Sequence, residues 1–131
     1  MQRELLLLRE MRDAAAAIRD LIGDRTAEEV DGDALRRSAL LWHFTVLGEA
    51  ASQVPVETKD AHPQIAWRGA TRLRNRIVHP YWDIDVDTLV ATAVEDLPDM
   101  IAQLDAVLRA LQDEAGAGGG AGSAGPRQAG R

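Results

Sequence analysis

The sequence predicts an all-α protein, an antiparallel bundle of four main helices. In four segments, apolar residues recur every three or four positions, which is the spacing of a helix with one buried face. No segment shows the strict alternation of apolar and polar residues that marks a half-buried strand. Glycine and proline fall mainly between the periodic segments, where they end helices. The 131 residues suit one domain with one core.

The first two helices are predicted over residues 2–22 and 34–53, with apolar residues on one stripe of each. Between them, Thr26 precedes Glu29 by three residues, which is the spacing of a capping box and predicts a short helical turn. Gly48 lies inside the second helix, where glycine costs about 1 kcal/mol relative to alanine. We therefore expect another backbone to approach closely at this position.

A third helix is predicted over residues 66–79, with an apolar face that includes Ala70 and Ile77. The preceding connector contains two prolines and has room for one helical turn. Pro80 should stop the third helix, because proline disfavours helical geometry at the residue before it.

Either Asp85 or Asp87 can cap a fourth helix that runs to about residue 113, with a kink at Pro98. Beyond it the chain is rich in glycine and alanine and has no apolar periodicity. We therefore predict a helical domain over residues 1–113 and a flexible tail over residues 114–131.

Composition excludes several functional classes. The net charge of −6 argues against a protein that coats nucleic acid by charge alone, so any such contact should be local. The chain has no cysteine, and its histidines lie in three segments without ligand spacing, so we expect neither a disulfide nor a metal cofactor. The four-leucine run near the N-terminus is too short for a signal peptide or membrane span. We expect a soluble, cytoplasmic protein with no membrane partner.

The stretch RNRIVHPY, residues 74–81, gathers groups that can perform chemistry. On a helical wheel, one sector of roughly 100° opposite the apolar face collects cationic and polar side chains. These are Arg68, Arg72, Asn75, Arg76 and His79. Arginine binds phosphate through two hydrogen bonds and histidine transfers protons near neutral pH, and metal-free RNA cleavage needs both. The alternative is a solvated helix face on which arginine pairs with aspartate and has no further function.

The same stretch resembles the Arg-x4-His-x-Tyr motif of the HepT-like family, within the HEPN superfamily of small helical proteins. Three further segments are similar to the family's pattern in the same order: LLWHFTVLGEAA, the run HPQIAWRGAT before the motif, and EDLPDMIAQL after it. The resemblance spans about residues 4–108.

The resemblance implies a homodimeric helical bundle in which the two motifs face one another across a cleft. It implies an endoribonuclease that acts as the toxin of a type VII (HEPN/MNT) toxin–antitoxin system, with RNA as substrate. The partner would be an MNT-type nucleotidyltransferase antitoxin, which adenylylates the motif tyrosine, here Tyr81. A catalytically silent module that binds nucleotide or docks the nucleotidyltransferase is a second hypothesis, and a purely structural helical dimer is a third.

The resemblance assigns proton transfer to His79 and phosphate or transition-state binding to Arg74. Asn75 would orient His79 or the phosphate, and Arg72 and Arg76 would support phosphate binding. On an ideal helix Arg74 lies about 140° from His79, and Arg72 and Arg76 lie closer to it. Arg74 would therefore act from the edge of the face or on the partner protomer, and Arg76 is a substitute for its role.

Overall fold

The computed structural model describes residues 2–78 and 85–122 of the chain. Within these residues it contains no strand, and its helices confirm the predicted all-α bundle. In chain order the helices are α1 (Gln2–Ile22), α2 (Ala27–Asp31), α3 (Ala34–Gln53), α4 (Val56–Ala61), α5 (Trp67–Val78), α6 (Val86–Glu95) and α7 (Leu97–Gly122).

Helix α1 lies at the centre of the bundle, between α3 and α7. Helix α5 packs against α3, and the short α2 contacts α3 and α6. Large apolar side chains from α1, α3 and α7 are almost completely buried, and this excludes water from a single core. They include Leu8, Met11, Ile18, Leu40, Phe44, Leu97 and Leu104.

The predicted bounds of the first two main helices agree with α1 and α3, and α5 agrees with the third to within one residue at each end. The capping box is confirmed: the Glu29 N–H donates to Thr26 Oγ1 at 3.1 Å, and the Thr26 N–H donates to Glu29 Oε1 at 2.9 Å. The predicted helical turn in the connector is α4. Asp85 caps α6 by accepting the Thr88 N–H at 3.3 Å, which decides between the two predicted caps.

The prediction of one kinked fourth helix was wrong, because α6 ends at Glu95 and α7 begins at Leu97. Pro98 lies in the first turn of α7, where its missing N–H needs no partner. Asp96 closes α6 with its N–H donating to the Thr92 carbonyl at 2.8 Å. Proline therefore starts a new helix here, and no continuous helix passes through it.

Helix α7 extends to Gly122, beyond the predicted helix end near residue 113. Alanine, which has the highest helix propensity, is interspersed with glycine in this segment, and adding residues to an established helix costs less than starting one. Residues 123–131 lie outside the described residues, and the flexible tail stays a prediction.

Helices α3 and α5 approach each other closely where they cross at Gly48. A Cβ atom placed on Gly48 would lie 2.2 Å from Arg74 Cβ and 2.7 Å from the Ala70 carbonyl oxygen. Real Cβ atoms essentially never approach other atoms this closely. The close backbone approach predicted at Gly48 is confirmed, and only glycine fits there.

We predict that Gly48→Ala destabilises the protein by about 1–3 kcal/mol, because the new methyl group forces α3 and α5 apart. Urea denaturation measures the free energy of unfolding. Gly69→Ala is the matched control on α5, since a Cβ there meets only the Ala66 methyl at 3.8 Å. The free energy of unfolding of the control should equal or slightly exceed that of the wild type. Equal free energies of unfolding for Gly48→Ala and Gly69→Ala would contradict the close packing of α3 and α5 at Gly48.

Because of Asp33, we expect the stability of the protein to vary with pH in the acid range. Its pKa lies below the ordinary value, chiefly because the Arg36 N–H donates to its carboxylate at the start of α3. The carboxylate therefore stabilises the fold above about pH 4 and loses this effect as the pH falls through its lowered folded pKa. We predict that Asp33→Asn, which retains a capping oxygen, is less stable than the wild type at pH 7 and that this difference shrinks toward pH 3. Thermal melting of both proteins at several pH values measures this difference in stability. A difference that stays constant with pH would contradict the stabilising role of the Asp33 carboxylate.

Candidate functional site

The start of α5 is fixed by Trp67. This side chain is buried, and its Nε1–H donates to the His62 carbonyl at 3.0 Å. The rotation of α5 about its axis is thereby set, so that the helical repeat turns Ala70 and Ile77 into the core. Arg68, which should lie on the polar face, is exposed as predicted.

Arg74 lies on the side of α5 that faces α3. Its Cβ and Cγ pack over Gly48, and its side chain is 27% exposed. Its Nη2 is 3.7 Å from Glu49 Oε1, which is longer than a charge-assisted hydrogen bond. Its Nε is buried and has no hydrogen-bond partner among the described residues. The stem is thus held firmly, and among the described residues the guanidinium makes no short hydrogen bond that an anion would have to displace.

Glu49 connects Arg74 to the N-terminal end of α1. The second Glu49 oxygen accepts a hydrogen bond from Gln53 Nε2–H at 3.1 Å, and Gln53 Oε1 accepts one from Arg3 Nη2–H at 2.6 Å. The sequence interpretation assigned no role to Glu49. The available signal was its position directly after Gly48, which places a carboxylate at the rim of the close helix crossing.

The opposite side of α5 borders an open groove of about 1090 Å³ between α4 and α5. Arg68, Arg72 and Asn75 line it from α5, and Lys59 lines it from α4. Asp60 is the only carboxylate among the groove's described lining residues. The groove therefore presents three cations and one anion on a chain whose net charge is −6.

Within residues 2–78 and 85–122, none of these three cations forms an ion pair. Elsewhere arginines do pair: Arg12 contacts Asp105 at 2.9 Å and Arg36 contacts Asp33 at 3.3 Å. Among the described residues, Arg68 and Arg72 therefore show none of the arginine–aspartate pairs that the alternative of a solvated face expects.

A second, smaller cleft of about 400 Å³ separates α5 from the start of α7. Phe44 and Leu47 of α3 contribute to its lining, and Arg72 shares its rim with Asp96 and Asp99. Its two carboxylates offset the one arginine, so this cleft is a poorer site for an anion than the groove is.

The sequence-predicted site residues fall into two groups on α5. Arg72 and Asn75 share the groove, and Arg74 contacts α3 on another side of the helix, as the helical wheel predicts. His79 and Tyr81 lie outside the described residues, as does the side chain of Arg76. The functional roles of all six residues stay predictions.

The described residues show neither a metal site nor a membrane span. No group of three or more histidine, aspartate or glutamate side chains in them comes together in a way that could hold a metal ion. None of their helices is both long and apolar enough to span a bilayer.

Comparison with known proteins defines the class of this helical bundle. The family model described as ribonuclease HepT-like matches residues 11–107, which include the α3–α5 crossing and the groove. The chain therefore belongs to the HepT-like family of the HEPN superfamily.

Relatives with assigned names are distant in sequence but cover most of the chain. A Methanocaldococcus jannaschii protein, whose name assigns RNase activity provisionally, is 26% identical over 108 residues, covering 82% of this chain and 86% of the relative. A Thermococcus cleftensis protein, whose name assigns it provisionally as ribonuclease HepT, is 29% identical over 93 residues, covering 71% of this chain and 84% of the relative. No solved structure shows a significant match.

Proposed function

We propose that this protein is a metal-independent endoribonuclease, the toxin of a type VII (HEPN/MNT) toxin–antitoxin system. Membership of the HepT-like family supports an RNase of the HEPN type. The proposed catalytic residues are Arg74 and His79, with Asn75, Arg72 and Arg76 in supporting roles. The protein would act in the cytoplasm, where it would meet both its RNA substrate and its antitoxin.

The observation that carries this proposal is the state of Arg74. Its stem is locked over Gly48, and its guanidinium contacts only a half-exposed carboxylate at 3.7 Å among the described residues. A phosphodiester can form two short hydrogen bonds to a guanidinium and would compete effectively with this long ion pair. Arg74 is therefore suited to bind phosphate with little rearrangement of its backbone and stem.

The proposed reaction is a transesterification at phosphorus. The 2′-oxygen of the RNA attacks the adjacent phosphorus and loses its proton to a base, while the 5′-oxygen leaves and gains a proton. The products are a 2′,3′-cyclic phosphate end and a 5′-hydroxyl end. His79 can exchange protons near neutral pH, and Arg74 stabilises the additional negative charge of the phosphorane.

A homodimer supplies what one chain lacks. Each chain offers one His79, whereas the reaction needs both a base and an acid, so two motifs that face one another would complete the site. Two large apolar side chains on one face of α3 support self-association, because Leu35 is 86% exposed and Trp42 is 63% exposed. Residues seven apart share one face of a helix.

Tyr81 is the proposed control point. Adenylylation of its hydroxyl by an MNT-type nucleotidyltransferase would add a negatively charged phosphate and a bulky nucleoside two residues from His79. The added group would repel RNA and occupy the arginines that otherwise bind its phosphates.

We predict that purified protein cleaves RNA in excess EDTA and leaves 2′,3′-cyclic phosphate ends. His79→Ala should reduce the cleavage rate by about 10²–10⁴-fold, because proton transfer is lost. Arg74→Met should reduce it by about 10²–10³-fold, because the phosphorane charge is no longer stabilised, while the retained stem keeps the melting temperature close to that of the wild type.

Arg109→Met is the matched control, since Arg109 is exposed on α7 and lines neither cavity described above. It should cleave RNA like the wild type. Full activity in a folded His79→Ala variant would contradict the proposed mechanism. Absence of cleavage by the folded, unmodified wild type would favour the silent binding module instead.

We predict that an MNT-type nucleotidyltransferase with ATP adds one adenylyl group to the wild type and abolishes its RNA cleavage, because the modification blocks the arginines. Tyr81→Phe should cleave RNA before and after the same treatment, because it lacks the acceptor hydroxyl. Mass spectrometry and a cleavage assay on the same samples measure both effects. If Tyr81→Phe were adenylylated to the same extent as the wild type and also lost RNA cleavage, the modified residue would be one other than Tyr81.

A further inference from the structure

We propose that the groove between α4 and α5 binds the backbone of single-stranded RNA through Lys59, Arg68 and Arg72. This inference rests on the proposed ribonuclease function and identifies how its substrate is held. Lys59 and Arg68 lie outside the Arg-x4-His-x-Tyr motif and have no role in the chemistry proposed above.

The electrostatics of the groove favour a polyanion. The groove brings together three cations and one carboxylate on a chain with a net charge of −6. No ion pair within the described residues neutralises any of the three cations. A phosphate backbone would supply the missing negative charges and release bound counterions as it did so.

The arrangement of the cations continues toward the motif. Arg68, Arg72 and Asn75 are four and three residues apart, so they form one stripe along α5 that rises about 10 Å from end to end. His79 follows Asn75 by four residues in the sequence. A strand bound along the stripe would therefore run toward the C-terminal end of α5, where Asn75 lies in the groove and Arg74 lies on the other side of the helix.

The lining also indicates what kind of RNA contact to expect. Trp67 borders the groove, but it is 8% exposed and its Nε1–H is committed to the His62 carbonyl. It therefore offers no open ring face on which a base could stack, unlike the aromatic platforms of many single-strand binders. Binding in the groove should depend on phosphate charge and salt, with little preference for base sequence.

The test compares two variants with the same change in net charge. Lys59→Gln/Arg68→Gln removes two groove cations, and Arg9→Gln/Arg109→Gln removes two exposed arginines of α1 and α7 that do not line the groove. The probe is a fluorescent, uncleavable 2′-O-methyl oligonucleotide of about 12 residues, titrated at several salt concentrations. Circular dichroism checks folding, and Arg68→Gln alone serves if the groove double variant is unfolded.

The groove variant should bind the probe roughly tenfold or more weakly than the control, and the slope of log affinity against log salt should fall by about 1.4, from about 0.7 per lost cation. Equal affinities and equal slopes in the two double variants would overturn the proposal. Weakened binding of the nucleotidyltransferase with unchanged binding of RNA would also overturn it, since the groove would then contact protein.

Cleavage of a dinucleotide separates this proposal from the proposed function, because a dinucleotide reaches the reaction site and is too short to extend along the groove. The groove variant should cleave the dinucleotide like the wild type but lose efficiency on longer RNA through a higher KM. If the wild type cleaved no RNA but bound the probe through the groove, the proposed ribonuclease function would be contradicted and the proposed binding site in the groove would be supported. A groove variant that loses dinucleotide cleavage as well would contradict the separate role of the groove.

Discussion

The contact between α3 and α5 at Gly48 determines where the Arg74 side chain can lie. Because glycine has no Cβ, the Ala70 carbonyl and the Arg74 stem approach the α3 backbone directly. This leaves the guanidinium at the rim of the crossing, beside Glu49 and partly accessible to solvent. One packing contact thus both joins the helices of the bundle and orients the residue to which we assign phosphate binding. Preorganisation of this kind is what electrostatic stabilisation of a transition state requires.

The distribution of ion pairs separates structural arginines from those available to a ligand. Arg12 and Arg36 pair with carboxylates of the fold, whereas Arg68 and Arg72 pair with none among the described residues. Exposed ion pairs contribute little to stability, typically about 0–1 kcal/mol, so the lack of a partner for these two arginines among the described residues costs the fold almost nothing. The same two charges can contribute much more to the binding of a polyanion, because each displaces counterions from it. An acidic protein can therefore bind RNA locally while its remaining surface repels it.

Much of the fold could be predicted because local signals in the sequence agree with the packing. Apolar periodicity predicted α1 and α3 with their observed bounds, and the capping pair Thr26 and Glu29 marked α2. The fourth helix was predicted wrongly because proline is compatible with both a kink and a helix start, and local sequence does not choose between them. The end of α7 was misjudged because alanine and glycine, which have opposite helix propensities, are mixed there.

The candidate site was predictable in its residue types and only partly in its geometry. Spacing on α5 predicted the separation of Arg74 from the stripe that contains Arg72 and Asn75. The role of Glu49 and the participation of Lys59 in the groove were not predictable, because both depend on contacts between helices that are distant in the sequence. A glycine inside a helix was the one local sign of such a contact.

The most direct test is a crystal structure of the protein with a dinucleotide whose attacking 2′-hydroxyl is replaced by hydrogen. We expect the guanidinium of Arg74 to leave Glu49 and donate two hydrogen bonds to the scissile phosphate, with the imidazole of His79 from either protomer within hydrogen-bond distance of the same group. A phosphate bound elsewhere, with Arg74 still paired to Glu49, would contradict the assignment of Arg74 and with it the proposed mechanism.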